Sequence, residues 1–126
     1  MFGNFISKVK QGIKESYLED AYKRLAPISR VQLKPSQMTR ATAFFNAVSA
    51  YALDEPEIIN FSTKVQLLVA LSATADAAGS EGERDINEFM QDLFTFHCKR
   101  LLKDKSLSQK EFVCVQNLSA KIDVYN

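Results

Sequence analysis

An all-α, single-domain helical bundle of about five to six helices around one buried central helix is the fold class this sequence predicts. Three observations point there. The 126 residues hold only four Gly and three Pro, which favours helices over a turn-rich β fold. Apolar residues recur at helical spacing along much of the chain. Residues 64–78, KVQLLVALSATADAA, carry no charge from Val65 to Ala75. At about 100° per residue, Val65, Leu67, Leu68, Val69, Leu71, Ala73 and Ala75 spread almost all the way round, which marks a helix sheathed by others. The stretch is far shorter than the roughly 20 residues that span a bilayer. Ser62 is expected to cap its start and Gly79 to end it in the left-handed conformation.

Residues 1–126 read as one domain, long enough to bury roughly two thirds of the surface of the unfolded chain. Within it, residues 1–14 read as a separable N-terminal amphipathic helix. Phe2, Phe5, Ile6, Val9 and Ile13 share one face, with Lys8, Lys10 and Lys14 away from its centre. Continuing the same helix puts Leu18, Tyr22 and Leu25 on the opposite side, so a break is expected between residues 12 and 17. Phe2, Phe5, Lys8, Lys10 and Lys14 are the candidate residues for a docking helix that meets a protein partner, or for one that lies on a membrane surface. The plainer alternative is that the segment closes the protein's own core.

Pro27 is expected to stop the next helix, and Pro35-Ser36 to start another with Ser36 as N-cap. Met38, Ala41, Thr42, Phe45 and Val48 follow at helical spacing. Lys23, Arg24, Arg30, Lys34 and Arg40 cluster around this connection and form the candidate nucleic-acid surface. No glycine-rich phosphate loop or RNA-binding aromatic motif accompanies them, which favours a solvated face instead. Asp54 and Glu57 then resemble a capping box that opens a short turn.

After the central helix, Ser80 and Glu83 are expected to form a capping box for a helix whose apolar face comprises Ile86, Phe89, Met90, Leu93, Phe94, His97 and Leu101. His97 lies mid-face with no carboxylate one turn away to orient it, and is expected as a buried, hydrogen-bonded core residue. The last helix has the clearest start: Ser108 with Glu111 as the box and Leu107 with Phe112 as the hydrophobic staple. Phe112, Val115, Leu118 and Ile122 are expected to face inward, with the final residues frayed.

Charge is unevenly spread: residues 1–40 carry net +5, residues 41–97 net −7 and residues 98–126 net +3. A basic end and an acidic middle suit self-complementary packing or a charged face offered to a partner. Cys98 and Cys114 lack zinc-site spacing and make no disulfide framework, so they are expected reduced and mostly buried, in a cytoplasmic protein. The opening MFGNFISKVKQG lacks the apolar core of a secretory signal.

Two connections share a spacing. Asp76, Ser80 and Glu83, then Asp104, Ser108 and Glu111, both read D-x-x-x-S-x-x-E. A helix ending in A-x-A-D, a short loop and S-x-x-E opening the next helix resembles the TerB-like family, named for a tellurite-resistance protein, whose loops typically read D-G-x-x-S-x-x-E. The match spans roughly half the chain, with Ala77 and Lys105 in place of the family's glycines. The resemblance implies a cytosolic helical bundle, divalent-metal binding by loop acids, and a binding module in bacterial stress or defence; a phage or plasmid setting fits equally. Electrostatics single out the first loop. Asp76 sits at the negative end of a helix dipole, with Glu81, Glu83 and Asp85 close behind and Arg84 as the nearby cation. Asp76, Glu81 and Glu83, with loop carbonyls, are therefore the candidate ligands for Ca²⁺ or Mg²⁺. Asp104 is expected to be compensated by Lys99, Arg100, Lys103 and Lys105.

No nucleophile–base pair, nucleotide loop or specific metal-ligand pattern appears, so the expectation is a non-enzymatic protein. The leading reading is a small helical protein–protein interaction module tuned by a divalent cation. The alternatives are a peripheral membrane protein held by residues 2–14, and a nucleic-acid binder using the basic cluster.

Overall fold

The computed structural model describes residues 17–52 and 54–125. Among them are five helices and no strand: α1 (residues 17–25), α2 (Pro35–Ala52), α3 (Thr63–Ser80), α4 (Arg84–Leu101) and α5 (Gln109–Tyr125), with 3₁₀ turns at Ala26–Ile28 and Ile58–Asn60. The protein is an all-α helical bundle, and no described helix is long and apolar enough to cross a membrane. The expected N-terminal amphipathic helix, with Phe2, Phe5, Lys8, Lys10 and Lys14, lies outside the described residues.

α3 is the axis of the bundle and touches α2, α4 and α5. Val65, Leu68, Ala70, Leu71, Ala75 and Ala78 are wholly buried along it. Each large side chain so placed stabilises the fold by roughly 1.5–3 kcal/mol. The three polar residues between Val65 and Ala75 are buried too, and each has a partner. Gln66 Nε2 donates to the Ile58 carbonyl (3.0 Å), Thr74 Oγ1 to the Ala70 carbonyl (2.6 Å), and Ser72 Oγ accepts from Lys121 Nζ (2.6 Å). Side-chain pairs fix the directions of the neighbouring helices. α4 runs antiparallel to α3: Asn87 near its start donates to Ala75 (2.6 Å), and His97 near its end meets Lys64 (2.7 Å). α5 runs parallel to α3, since Glu111 meets Ser62 and Lys121 meets Asp76. α1 closes the other side through Tyr22, stacked on Phe45 of α2 at 4.5 Å and edge-on to Phe89 of α4 at 6.5 Å.

Helix ends depart from expectation in instructive ways. α2 starts at Pro35, so Lys34 rather than Ser36 holds the cap position. The Lys34 carbonyl accepts from Met38, and Gln37 reaches back to the Lys34 N–H (2.8 Å) as half of a capping box. α3 runs on through Gly79 to Ser80. The left-handed residue is Gly82 (φ 75°), within a Schellman motif in which Glu83 N–H bonds to Ala78 (2.9 Å) and Gly82 N–H to Gly79 (3.1 Å). Ser80 therefore ends α3 instead of capping α4, and its hydroxyl donates to the Asp76 carbonyl (3.1 Å). The Ser108–Glu111 box forms as expected. The expected fraying of the last residues gives way to packing: α5 extends to Tyr125, whose ring sits edge-on to Phe94 at 5.5 Å.

Candidate functional site

The two acidic connections, alike in sequence, fold differently. In the second, Asp104 accepts from Lys64 Nζ (2.6 Å) and from the Ser106 hydroxyl (2.6 Å). These contacts hold its carboxyl well below the usual carboxylate range. Its compensating cation is thus Lys64 on α3, not the flanking lysines. In the first connection, Asp76 receives Lys121 Nζ at 2.6 Å and Glu83 receives Arg40 Nε at 3.3 Å. Among the described residues no three His, Cys, Asp or Glu side chains come together to hold a metal ion, so Asp76, Glu81 and Glu83 are not assembled into one site. The donor set does not fit a hard divalent ion, which takes about six to eight oxygens. The Lys121 ammonium of α5 already occupies one member of the set, Asp76.

Three residues of the basic cluster form ion pairs within the bundle. Lys23 meets Glu19 (3.7 Å), Arg40 meets Glu83, and Arg30 clasps Asp92 through both its backbone N–H (2.8 Å) and its guanidinium (3.2 Å). Burial opposes ionisation of Asp92, but these Arg30 contacts and Ser29 outweigh it and lower its pKa. Arg24 donates only to the Asp20 carbonyl of its own helix (3.4 Å), and Lys34 holds the α2 cap through its backbone. Three of the five, Lys23, Arg30 and Arg40, thus meet carboxylates of the protein's own helices.

Two grooves flank α3, one on each side. The first, of about 490 Å³, lies between the 3₁₀ turn at Ile58–Asn60, α3 and α5. Ile58, Phe61, Val69, Val113, Cys114 and Leu118 make its apolar walls, with Glu57 and Lys110 as the charged lining residues among those described. Val113 on α5 is 41% exposed, and Ile59 on the neighbouring 3₁₀ turn 39%. Burial raises the pKa of the Cys114 thiol, and Glu57 and Glu111 add to this, so it stays a neutral apolar contact. Both cysteines are free; Cys98 is buried and Cys114 half-buried.

The second groove, of about 400 Å³, lies between α1, the start of α3 and the end of α4. His97 forms part of its lining. The ring is 6% exposed, in line with its expected place in the core. Its Nε2 pairs with the Lys64 carbonyl at 2.7 Å, while Nδ1 is buried without a partner among the described residues. Burial lowers the His97 pKa, the Lys64 carbonyl raises it, and nearby Arg100 lowers it further; the balance is downward. The ring is therefore neutral at pH 7, with the proton on Nε2 and a lone pair on Nδ1.

Neither groove follows from periodicity. Val113 falls off the core-facing stripe of α5, and an apolar residue on the polar side of a helix is a signal that could have found the first groove. Comparison with protein-family models, with curated proteins and with solved structures yields no match for this chain.

Proposed function

We propose that this protein is a small, non-enzymatic helical interaction module, and that the groove between the turn at Ile58–Asn60, α3 and α5 receives the apolar face of a partner protein's amphipathic helix. The observation that carries this reading is the groove's lining: six apolar side chains on three different elements, with opposite charges at Glu57 and Lys110. Helix-in-groove recognition needs apolar walls for anchors one turn apart and polar groups to set orientation. Glu57 and Lys110 serve the second purpose. The walls are rigid because Val69 stands on the buried central helix and Ile58 is held by Gln66. The resemblance of the two acidic loops to the TerB-like family makes bacterial stress or defence the setting in which to seek the partner.

The test compares wild type with Val113→Glu, a change at an exposed wall residue that leaves the core intact. Each is used to capture proteins from native host extract. A protein held by wild type and lost with the variant is then purified and titrated calorimetrically. Saturable binding weakened by about tenfold or more in the variant, at unchanged melting temperature, is the expected result. Equal binding by both proteins would remove the groove from the interface.

A further inference from the structure

We propose that the groove between α1, the start of α3 and the end of α4 is a binding site for a small carboxylate carried on an apolar stem. This site is distinct from the helix-receiving groove on the other side of α3 and does not depend on it.

The walls come from Ala21, Leu25, Ile28, Leu67 and Phe96, and the volume of about 400 Å³ falls within the roughly 300–1,000 Å³ typical of small-ligand sites. Phe96 and Ile28 are both exposed, at 42% and 41%. An apolar stem would cover them, while His97 and Leu67 form the buried floor.

The charge pattern sets the ligand's sign. Arg24, Lys64 and Arg100 line the groove, and among the described residues no carboxylate does. Lys64 is committed to Asp104. The arginines are the telling pair. Arg30, Arg40 and Arg84 each form an ion pair, with Asp92, Glu83 and Glu88. Arg24 and Arg100 form none among the described residues, and both stand at this groove. Arg100 lies over the Phe96 ring, 5.6 Å from its centroid, which orients the guanidinium along the apolar wall. Two unpaired guanidinium groups beside an apolar trough match a carboxylate on an apolar stem, and guanidinium is the side chain best shaped to hold that group. A free fatty acid presents the carboxylate alone, whereas an N-acylated amino acid also carries an amide N–H beside it.

The experiment titrates the full chain calorimetrically with octanoate, octanol, octylammonium and N-acetylphenylalanine. Octanoate or N-acetylphenylalanine is expected to saturate one site per chain, with octanol and octylammonium weaker by about tenfold or more. In Arg24→Gln/Arg100→Gln the carboxylate's advantage over octanol is expected to vanish at unchanged melting temperature. Val113→Glu is expected to bind as wild type, so failure of the helix-receiving groove and failure of this site are separable. A tighter N-acetylphenylalanine complex identifies an acylated amino acid as the source, and a tighter octanoate complex a free acid. Octanoate and octanol binding equally, arginine replacement without effect, or no saturation by either carboxylate at millimolar concentration would each overturn the proposal.

Discussion

The Glu111 carboxylate holds the starts of two helices at once: its Oε2 accepts both the N–H (2.8 Å) and the hydroxyl (2.7 Å) of Ser62, 49 residues away. Its Oε1 accepts the Ser108 N–H at 3.0 Å. A local capping box at α5 is thereby extended to the start of α3, where Ser62 makes no side-chain cap of its own. Burial opposes ionisation of Glu111, but the N–H groups of Ser108 and Ser62 and the serine hydroxyls outweigh it, holding the pKa down to about 2 from an ordinary 4.5.

The sign of the pH dependence follows. A carboxylate with a depressed folded-state pKa contributes stability that is complete above its unfolded value. For Glu111 that contribution is expected to be full above pH 4.5 and to be lost as pH falls from there through about 2. Glu111→Gln is expected to cost roughly 2–3 kcal/mol at pH 7 and to lose less further stability than wild type across that window. Urea melts of both proteins at a series of pH values measure the difference, which separates Glu111 from Asp92 and Asp104, depressed in the same direction. Parallel pH profiles would assign the acid sensitivity to those aspartates instead.

Two glycines at the α3–α4 connection are expected to respond to alanine for different reasons. Gly82 has positive φ and open space around it, so Gly82→Ala should cost about 1 kcal/mol through backbone strain alone. Gly79 lies within α3, where alanine would be favoured by about 1 kcal/mol, but an added Cβ meets Asn87 Nδ2 at 3.0 Å. That amide is already held by Ala75. Gly79→Ala is therefore expected to give no gain in wild type and a gain of roughly 0.5–1 kcal/mol in Asn87→Ala. Denaturant melts of the four proteins in the cycle decide it.

The Asp76–Lys121 contact leads to a prediction about cations. With Lys121 Nζ at 2.6 Å from Asp76 and Arg40 on Glu83, millimolar Ca²⁺ or Mg²⁺ is expected to give no calorimetric heat and no change in melting temperature. The pair is half exposed, so Asp76→Asn should change stability by no more than about 1 kcal/mol. Saturable heat that disappears in Asp76→Asn would show that a divalent ion displaces the lysine.

What was legible in the chain was whatever depends on neighbours three or four residues apart. The all-round apolar run of α3, the face of α4 from Ile86 to Leu101 and the Ser108–Glu111 box all follow from local spacing. Helix ends were less legible, because a serine with a glutamate three residues on reads alike at Ser80 and at Ser108. Only the left-handed Gly82 decides that the first pair does not cap. The grooves were not legible at all. Arg24 and Arg100 stand together because α1 and the end of α4 meet, and Ile58, Val69 and Val113 because a turn and two helices do. The same holds for charge: Asp76 finds its cation 45 residues away on α5, beyond the reach of any argument from the loop itself.

Both grooves take a wall from α3, through Val69 on one side and Leu67 on the other, so the whole arrangement rests on that helix being the buried axis. Leu68, wholly buried between them, is the residue that tests it. Leu68→Ala is expected to cost roughly 2–5 kcal/mol, as truncations in packed cores do. The direct measurement is a denaturant melt of Leu68→Asp, where the expected result is no cooperative transition, since an unpaired carboxylate has no partner in that core. A soluble Leu68→Asp protein that melts cooperatively near the wild-type midpoint would contradict a bundle built around α3.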